Sequence, residues 1–149
     1  MIDRFEKFSI AISEISRYWH KIAGDVMEEY GLKGTHAIYL TTLSQFKNGI
    51  TAAQLCEICG KDKSDVSRLI SIMEKQGFVE KEGSKNYRIL LKLTEKGKAL
   101  ASKVKEKACL AVTLAGKDLS ETDRHSFYSS LETITQQLRI ISQEGLKDN

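Results

Sequence analysis

Residues 51–93 read TAAQLCEICGKDKSDVSRLISIMEKQGFVEKEGSKNYRILLKL, and the punctuation of this stretch decides the fold. Thr51 heads a first helix with Gln54 three positions on, the spacing of a reciprocal capping box. Leu55 and Ile58 give that helix an apolar stripe, and Gly60 can close it in a left-handed conformation. Asp62 is a natural cap for a second helix, in which Val66, Leu69, Ile70 and Met73 fall on one face. Gly77 ends that helix and Phe78-Val79 starts an extended run. After a Gly-Ser-Lys-Asn tip, Tyr87, Ile89, Leu91 and Leu93 alternate with Arg88, Leu90 and Lys92, the period of a half-buried strand. Helix, tight turn, helix and basic-tipped hairpin together spell a winged helix-turn-helix, and such an element reads as DNA-binding.

The flanks are helical. Residues 3–30 form one long predicted helix, with Phe5, Phe8, Ile12, Ile15, Trp19, Ile22 and Val26 in steps of three and four. That is a narrow heptad-type seam and needs something to pack against. Gly34-Thr35 begins a second helix whose expected core face is Ile38, Leu40, Leu43 and Phe46. After the wing, Thr94 caps a helix with Leu100, Val104, Ala108, Ala111 and Ala115 along its inner face. Gly116 breaks it, Ser120 with Asp123 caps the last helix, and Phe127, Leu131, Ile134, Leu138 and Ile141 repeat the seam. The expected fold is mainly α: one domain over residues 1–149, with a winged helix-turn-helix at 33–93 and a connecting helix at 94–115. The terminal helices, 1–32 and 116–149, form the expected dimerisation region. The two seams could pair within one protomer, but pairing between two copies suits a two-fold protein on palindromic DNA.

The chain has 149 residues and a net charge of only +3, so its distribution matters more than its total. Residues 61–105 hold 12 Lys/Arg against 6 Asp/Glu, while the segments before and after them are slightly acidic. An isolated basic run is usually a solvated face. Here it coincides with an independently read helix-turn-helix, and a nucleic-acid footprint accounts for it better. No apolar run approaches the roughly 18 residues of a membrane span, and the N-terminus lacks the order of a signal peptide, so the expected location is cytoplasmic. Three irregularly spaced cysteines do not make a disulfide framework, and the absence of proline suits a helical chain.

Several runs carry a family resemblance: Asp62-Lys63-Ser64-Asp65-Val66-Ser67-Arg68, Met73-Glu74-Lys75-Gln76-Gly77-Phe78-Val79, and Arg88 followed by Leu93-Thr94-Glu95-Lys96-Gly97. With the order of helices around them, they resemble the MarR family of bacterial transcriptional regulators over essentially the whole chain. The resemblance implies a homodimer with a triangular helical body, and transcriptional control, usually repression on a pseudo-palindromic operator relieved by a small ligand or an oxidant. The family's wing typically carries an Asp two positions before its Arg. Here Asn86 stands before Arg88, so the usual ion pair within the wing cannot form in the same way.

The first turns of a recognition helix enter the major groove. Lys63, Ser64, Asp65, Ser67 and Arg68 fall there, opposite the apolar face. Arg68 suits either a guanine edge or a phosphate. Ser64 and Ser67 suit hydrogen bonds to phosphate or base edges. Asp65 either accepts from cytosine or holds Arg68 or Lys63 in place. In the wing, Lys85, Asn86 and Arg88 are the expected contacts to the minor groove or its phosphates. The alternative function is a dimeric winged-helix protein-interaction module without operator recognition.

Other signals carry less. Cys56-x-x-Cys59 lies inside a helix rather than after a strand, which does not suit a thioredoxin-type centre. Cys56 reads as core, and Cys59, beside the turn, is the candidate for oxidation. Peroxide-sensing members of the family carry their cysteine in the first helix, where this chain has none. Zinc-sensing members place a ligand near His36, but the remaining ligands are missing, so no metal and no cofactor is expected. Tyr18, Trp19, His36 and Tyr39 could line a cleft for a small aromatic or phenolic effector, though aromatics at helical spacing are more often core. No catalytic constellation is present in the sequence, and an enzyme is not expected.

Overall fold

The computed structural model describes residues 2–84 and 87–146. Six helices and one hairpin follow in order: α1 (Ile2–Met27), α2 (Ala37–Gln45), α3 (Ala52–Cys59), α4 (Lys63–Lys75), β1 (Val79–Glu82), β2 (Leu90–Leu93), α5 (Glu95–Ala115) and α6 (Glu121–Glu144). The chain divides into two compact units, Met1–Ala111 and Val112–Asn149. This is the expected mainly helical fold with a winged helix-turn-helix inside the first unit. No helix among the described residues is long and apolar enough to cross a membrane.

Local chemistry sets the elements. The capping box forms as the Thr51-x-x-Gln54 spacing predicts: Thr51 Oγ1 accepts from the Gln54 N–H, and Gln54 Oε1 accepts from the Thr51 N–H at 2.9 Å. Asp62 caps α4 by accepting the Asp65 N–H at 2.8 Å, an interaction worth about 1 kcal/mol in such positions. Val66, Leu69, Ile70 and Met73 of α4 are all buried. Burying side chains of this size contributes about 1.5–3 kcal/mol each, so this face, more than the cap, holds α4 in place.

The core of the first unit gathers Ala23 and Met27 of α1, Leu40 and Leu43 of α2, Leu55 of α3, the α4 face, Phe78, the inner hairpin residues Val79, Leu91 and Leu93, and Leu100, Ala101 and Val104 of α5. Two glycines permit close approaches inside it. A Cβ on Gly34 would lie 1.8 Å from the His20 carbonyl oxygen, and one on Gly97 would lie 2.0 Å from that of Phe78. Around Gly97 the chain is tied by Thr94, whose Oγ1 donates to the Gly77 carbonyl at 2.5 Å and accepts the Gly97 N–H at 3.1 Å. The Leu-Thr-x-x-Gly motif is therefore a clasp that seats α5 on the turn after α4.

Several expectations need correction. The first helix stops at Met27 and continues only as a 3-10 turn, Glu28–Tyr30, closed by Gly31. On α2 the inward residues are Ala37, Tyr39, Leu40, Thr42 and Leu43, whereas Ile38 and Phe46 are exposed. On α3, Cys59 takes the place expected for Ile58, which faces solvent. Helices of eight or nine residues show only two turns of pattern, and packing of α2 on α3 and β2, and of α3 on α2 and α4, selects which edge of the stripe turns inward. In the wing, Leu91 and Leu93 are buried but Tyr87 and Ile89 are not. Pairing runs only from Val79↔Leu93 to Glu82↔Leu90, and Ile50, ahead of α3, adds a single isolated bridge to Leu91. Tyr87 and Ile89 lie past the last paired residue, Leu90, and stay exposed among the described residues.

The second unit holds the end of α5 and α6. Ser120 caps α6 by accepting the Asp123 N–H. Arg124 folds back to donate to the Gly116 carbonyl at 3.0 Å, which secures the turn between the helices. No residue of α6 is buried. Of the small residues expected inside α5, Ala108 and Ala111 are half-buried and Ala115 is exposed.

Candidate nucleic-acid interface

Because the apolar face of α4 is turned into the core, its first two turns present Lys63, Ser64, Asp65, Ser67 and Arg68 to solvent. Arg68 Nη2 donates to Asp65 Oδ1 at 2.5 Å. Of the roles open to Asp65, holding Arg68 is the one the geometry displays. Both side chains are largely exposed, so the pair contributes at most about 1 kcal/mol to stability, and its effect is on where the guanidinium points. Among the described residues, the hydroxyls of Ser64 and Ser67 have no intramolecular partner, which leaves them available to an external acceptor or donor.

In the wing, Arg88 is exposed and has no ion-pair partner among the described residues. Lys81 and Lys92 are tied instead, to Glu74 at 2.8 Å and to Glu82. Lys85 and Asn86 lie outside the described residues. Gly83 lets the hairpin close, since a Cβ there would meet the Arg88 carbonyl oxygen at 2.9 Å.

The four candidate effector residues separate. His36 and Tyr39 share a cavity of about 450 Å³ with Lys33, Lys61, Asp65 and Arg68. Tyr18 is exposed on α1 and Trp19 packs on the edge of the core, and neither lines that cavity. Nδ1 of His36 accepts the Lys33 N–H at 3.0 Å. Burial, and then the Lys33 ammonium, hold the pKa of His36 below the ordinary histidine value. Burial first, then the neighbouring acidic groups Cys59 and Asp65, push that of Tyr39 up, so Tyr39 is a neutral phenol. Lys33 and Lys61 were not legible as cavity residues, because they lie in separate turns, before α2 and before α4, that meet only in the folded chain.

Cys59 is not placed as a reactive thiol. It is buried, its Sγ lies 3.7 Å from Thr42 Oγ1, and burial pushes its pKa up, which disfavours the nucleophilic thiolate. Cys56 is half-buried and Cys109 exposed. No cluster of three or more potential metal-ligating residues occurs among the described residues.

A MarR family model matches residues 30–87, the stretch from the 3-10 turn through the wing tip. The match covers the helix-turn-helix and wing, and the chain shares the winged-helix fold of MarR-family structures. It is similar to a MarR transcriptional regulator from Methanosarcina mazei, at 27% identity and a TM-score of 0.81, over 91% of this chain and 99% of that one. A MarR family transcriptional regulator from Listeria monocytogenes, in complex with a 26mer DNA, is 25% identical with a TM-score of 0.77, over 93% and 95% of the two chains. A SlyA-like transcription regulator from the same organism is 26% identical with a TM-score of 0.79, again over 93% and 95%. A search of curated proteins found no match. Proteins of the MarR family are DNA-binding transcriptional regulators rather than enzymes.

Proposed function

We propose that this chain is a MarR-family, sequence-specific, double-stranded-DNA-binding transcriptional regulator, acting as a homodimeric repressor on a pseudo-palindromic operator and released by a small aromatic effector. The observation that carries the reading is the exposed row on α4, with Arg68 aimed by Asp65 and two unengaged serines beside it. A planar five-donor guanidinium on the first turns of a recognition helix suits a guanine edge. The Listeria relative bound to DNA matches over nearly the whole chain.

Dimerisation is supported by apolar side chains that each unit leaves in solvent. On α1 these include Phe5, Phe8, Ile12 and Ile15, and on α6 Phe127, Ile134, Leu138 and Ile141. Rows of this size and spacing mark an interface rather than scattered surface apolar residues. Two α4 helices related by a two-fold axis would read half-sites about 34–36 Å apart, one turn of the duplex.

Release is supported by the cavity between α2 and α4, where Asp65 and Arg68 form part of the wall. A carboxylate held there competes with Asp65 for Arg68 and redirects the guanidinium away from DNA. Selection of bound fragments from random duplexes, with and without benzoate, tests the reading. An enriched pseudo-palindrome that weakens with benzoate supports it, and retention of no preferred sequence by a folded dimer refutes operator recognition.

A further inference from the structure

Strand alternation turns Val79 and Leu91 inward, so Glu80 and Lys92, paired opposite each other in the register, face away from the core. Beneath them α5 carries Lys98, Ala101, Ser102 and Lys105, the i, i+3, i+4, i+7 stripe of one helix face. The turn just after α2 supplies Phe46 and Lys47. These three pieces line an open hollow of about 690 Å³, distinct from the cavity beside Arg68.

Its composition is uneven. Lys47, Lys92, Lys98 and Lys105 line it with a single acidic residue, Glu80, while the buried Leu43, Leu93 and Ala101 lie at its floor. Lys92 and Lys98 lean on Glu82 and Glu95, both acceptors on the exposed surface. Lys47 and Lys105 have no ion-pair or hydrogen-bond partner among the described residues. With Lys92 and Lys98 already paired, Lys47 and Lys105 leave uncompensated positive charge at the concavity, which an anion offsets. An ordinary solvated lysine face has no such concavity with apolar side chains at its base.

We propose that this hollow is a binding site for a small organic phosphate monoester with an apolar body. Lysines are compact point charges without the planar fork that matches a carboxylate, and they suit the three-oxygen, non-planar phosphate head. A monoester carries a charge of about −1.5 to −2 at neutral pH, enough to engage Lys47 and Lys105 together. The apolar body covers Leu43, Leu93 and Ala101, the usual division of a ligand site between a greasy wall and a few polar anchors. Because Lys92 belongs to β2 and Lys105 to α5, the occupant ties the wing to the helix behind it.

The test uses the full-length protein without DNA, so its outcome is independent of operator recognition. Phenyl phosphate is titrated by calorimetry and by backbone amide chemical shifts, with inorganic phosphate and duplex DNA as comparisons. Expected results are binding by phenyl phosphate at least about tenfold tighter than by inorganic phosphate, and shifts clustered at residues 43–47, 92–93 and 98–105. The double variant Lys47→Gln, Lys105→Gln should weaken phenyl phosphate by about tenfold or more, with its amide spectrum otherwise unchanged. Equal binding of the two phosphates would mean a merely cationic surface and would overturn the proposal. So would shifts centred elsewhere, or displacement of phenyl phosphate by duplex DNA of any sequence, which would assign these lysines to the DNA backbone. If the double variant does not fold, the wild-type shift map alone decides.

Discussion

Arg68 hangs from Asp65, three residues back along α4, by a hydrogen bond of 2.5 Å made in solvent. The pair adds little to stability but sets the direction of a guanidinium on the first turns of α4, the proposed recognition helix. Arg68→Ala should leave Tm nearly unchanged and the oligomeric state intact, while costing about 1–3 kcal/mol of discrimination between operator and random duplex. Asp65→Ala should remove a charge that phosphate repels. It should raise affinity for random DNA while lowering the ratio of specific to non-specific binding. Competition gel-shift measurements on both variants check this, and an unchanged ratio in Arg68→Ala would move the readout off this helix.

Arg88 presents an exposed guanidinium on the wing, with no ion-pair partner among the described residues. Arg88→Ala should weaken operator and random DNA by similar factors. It should also flatten the plot of log affinity against log salt by about one unit, the signature of one lost phosphate contact. A loss confined to one base position would instead indicate direct reading of a base.

Gly97 sits where a Cβ would be 2.0 Å from the Phe78 carbonyl oxygen. Gly97→Ala must push the start of α5 off the turn that Thr94 clasps, at a cost of about 1–3 kcal/mol, whereas Thr94→Ala removes the cap alone for about 0.5–2 kcal/mol. Urea melts should rank Gly97→Ala as the less stable of the two. A Gly97→Ala protein as stable as wild type would show that the approach is not close.

His36 accepts a backbone hydrogen bond through Nδ1 and has a pKa held below the ordinary value of 6.5. In the pH range below that value the unfolded chain binds the proton more readily than the folded one. The stabilising contribution of neutral His36 is therefore complete above about pH 6.5 and is lost as the pH falls below it. His36→Gln should be less sensitive than wild type between pH 7 and pH 5 in thermal melts. Parallel pH profiles for the two proteins would refute this assignment.

Cys59 is buried against Thr42, while Cys109 is exposed. Peptide mass spectrometry after brief alkylation should find Cys109 modified and Cys59 protected until denaturant is added. Mild oxidant should leave DNA affinity unchanged. Rapid labelling of Cys59 in the native protein would reopen a redox role.

What the sequence by itself determined were features of short range or strong period. Thr51, Asp62 and Ser120 name their helix starts because a cap needs only its own next three residues, and Val66, Leu69, Ile70 and Met73 announce a buried face because thirteen residues show nearly four turns of period. The same face left Arg68 and its neighbours outside, so the candidate DNA-contacting row on α4 was legible too. Tertiary packing alone decided whether Ile58 or Cys59, and Ile38 or Tyr39, turned inward, since a two-turn helix has an ill-defined stripe and its neighbours choose the edge. It also decided how far β2 stayed half-buried, which depends on where β1 stops. The meeting of Lys47 with Lys105, and of His36 with Arg68, had no trace in the linear order, because residues far apart in sequence become neighbours only when the core they flank has closed.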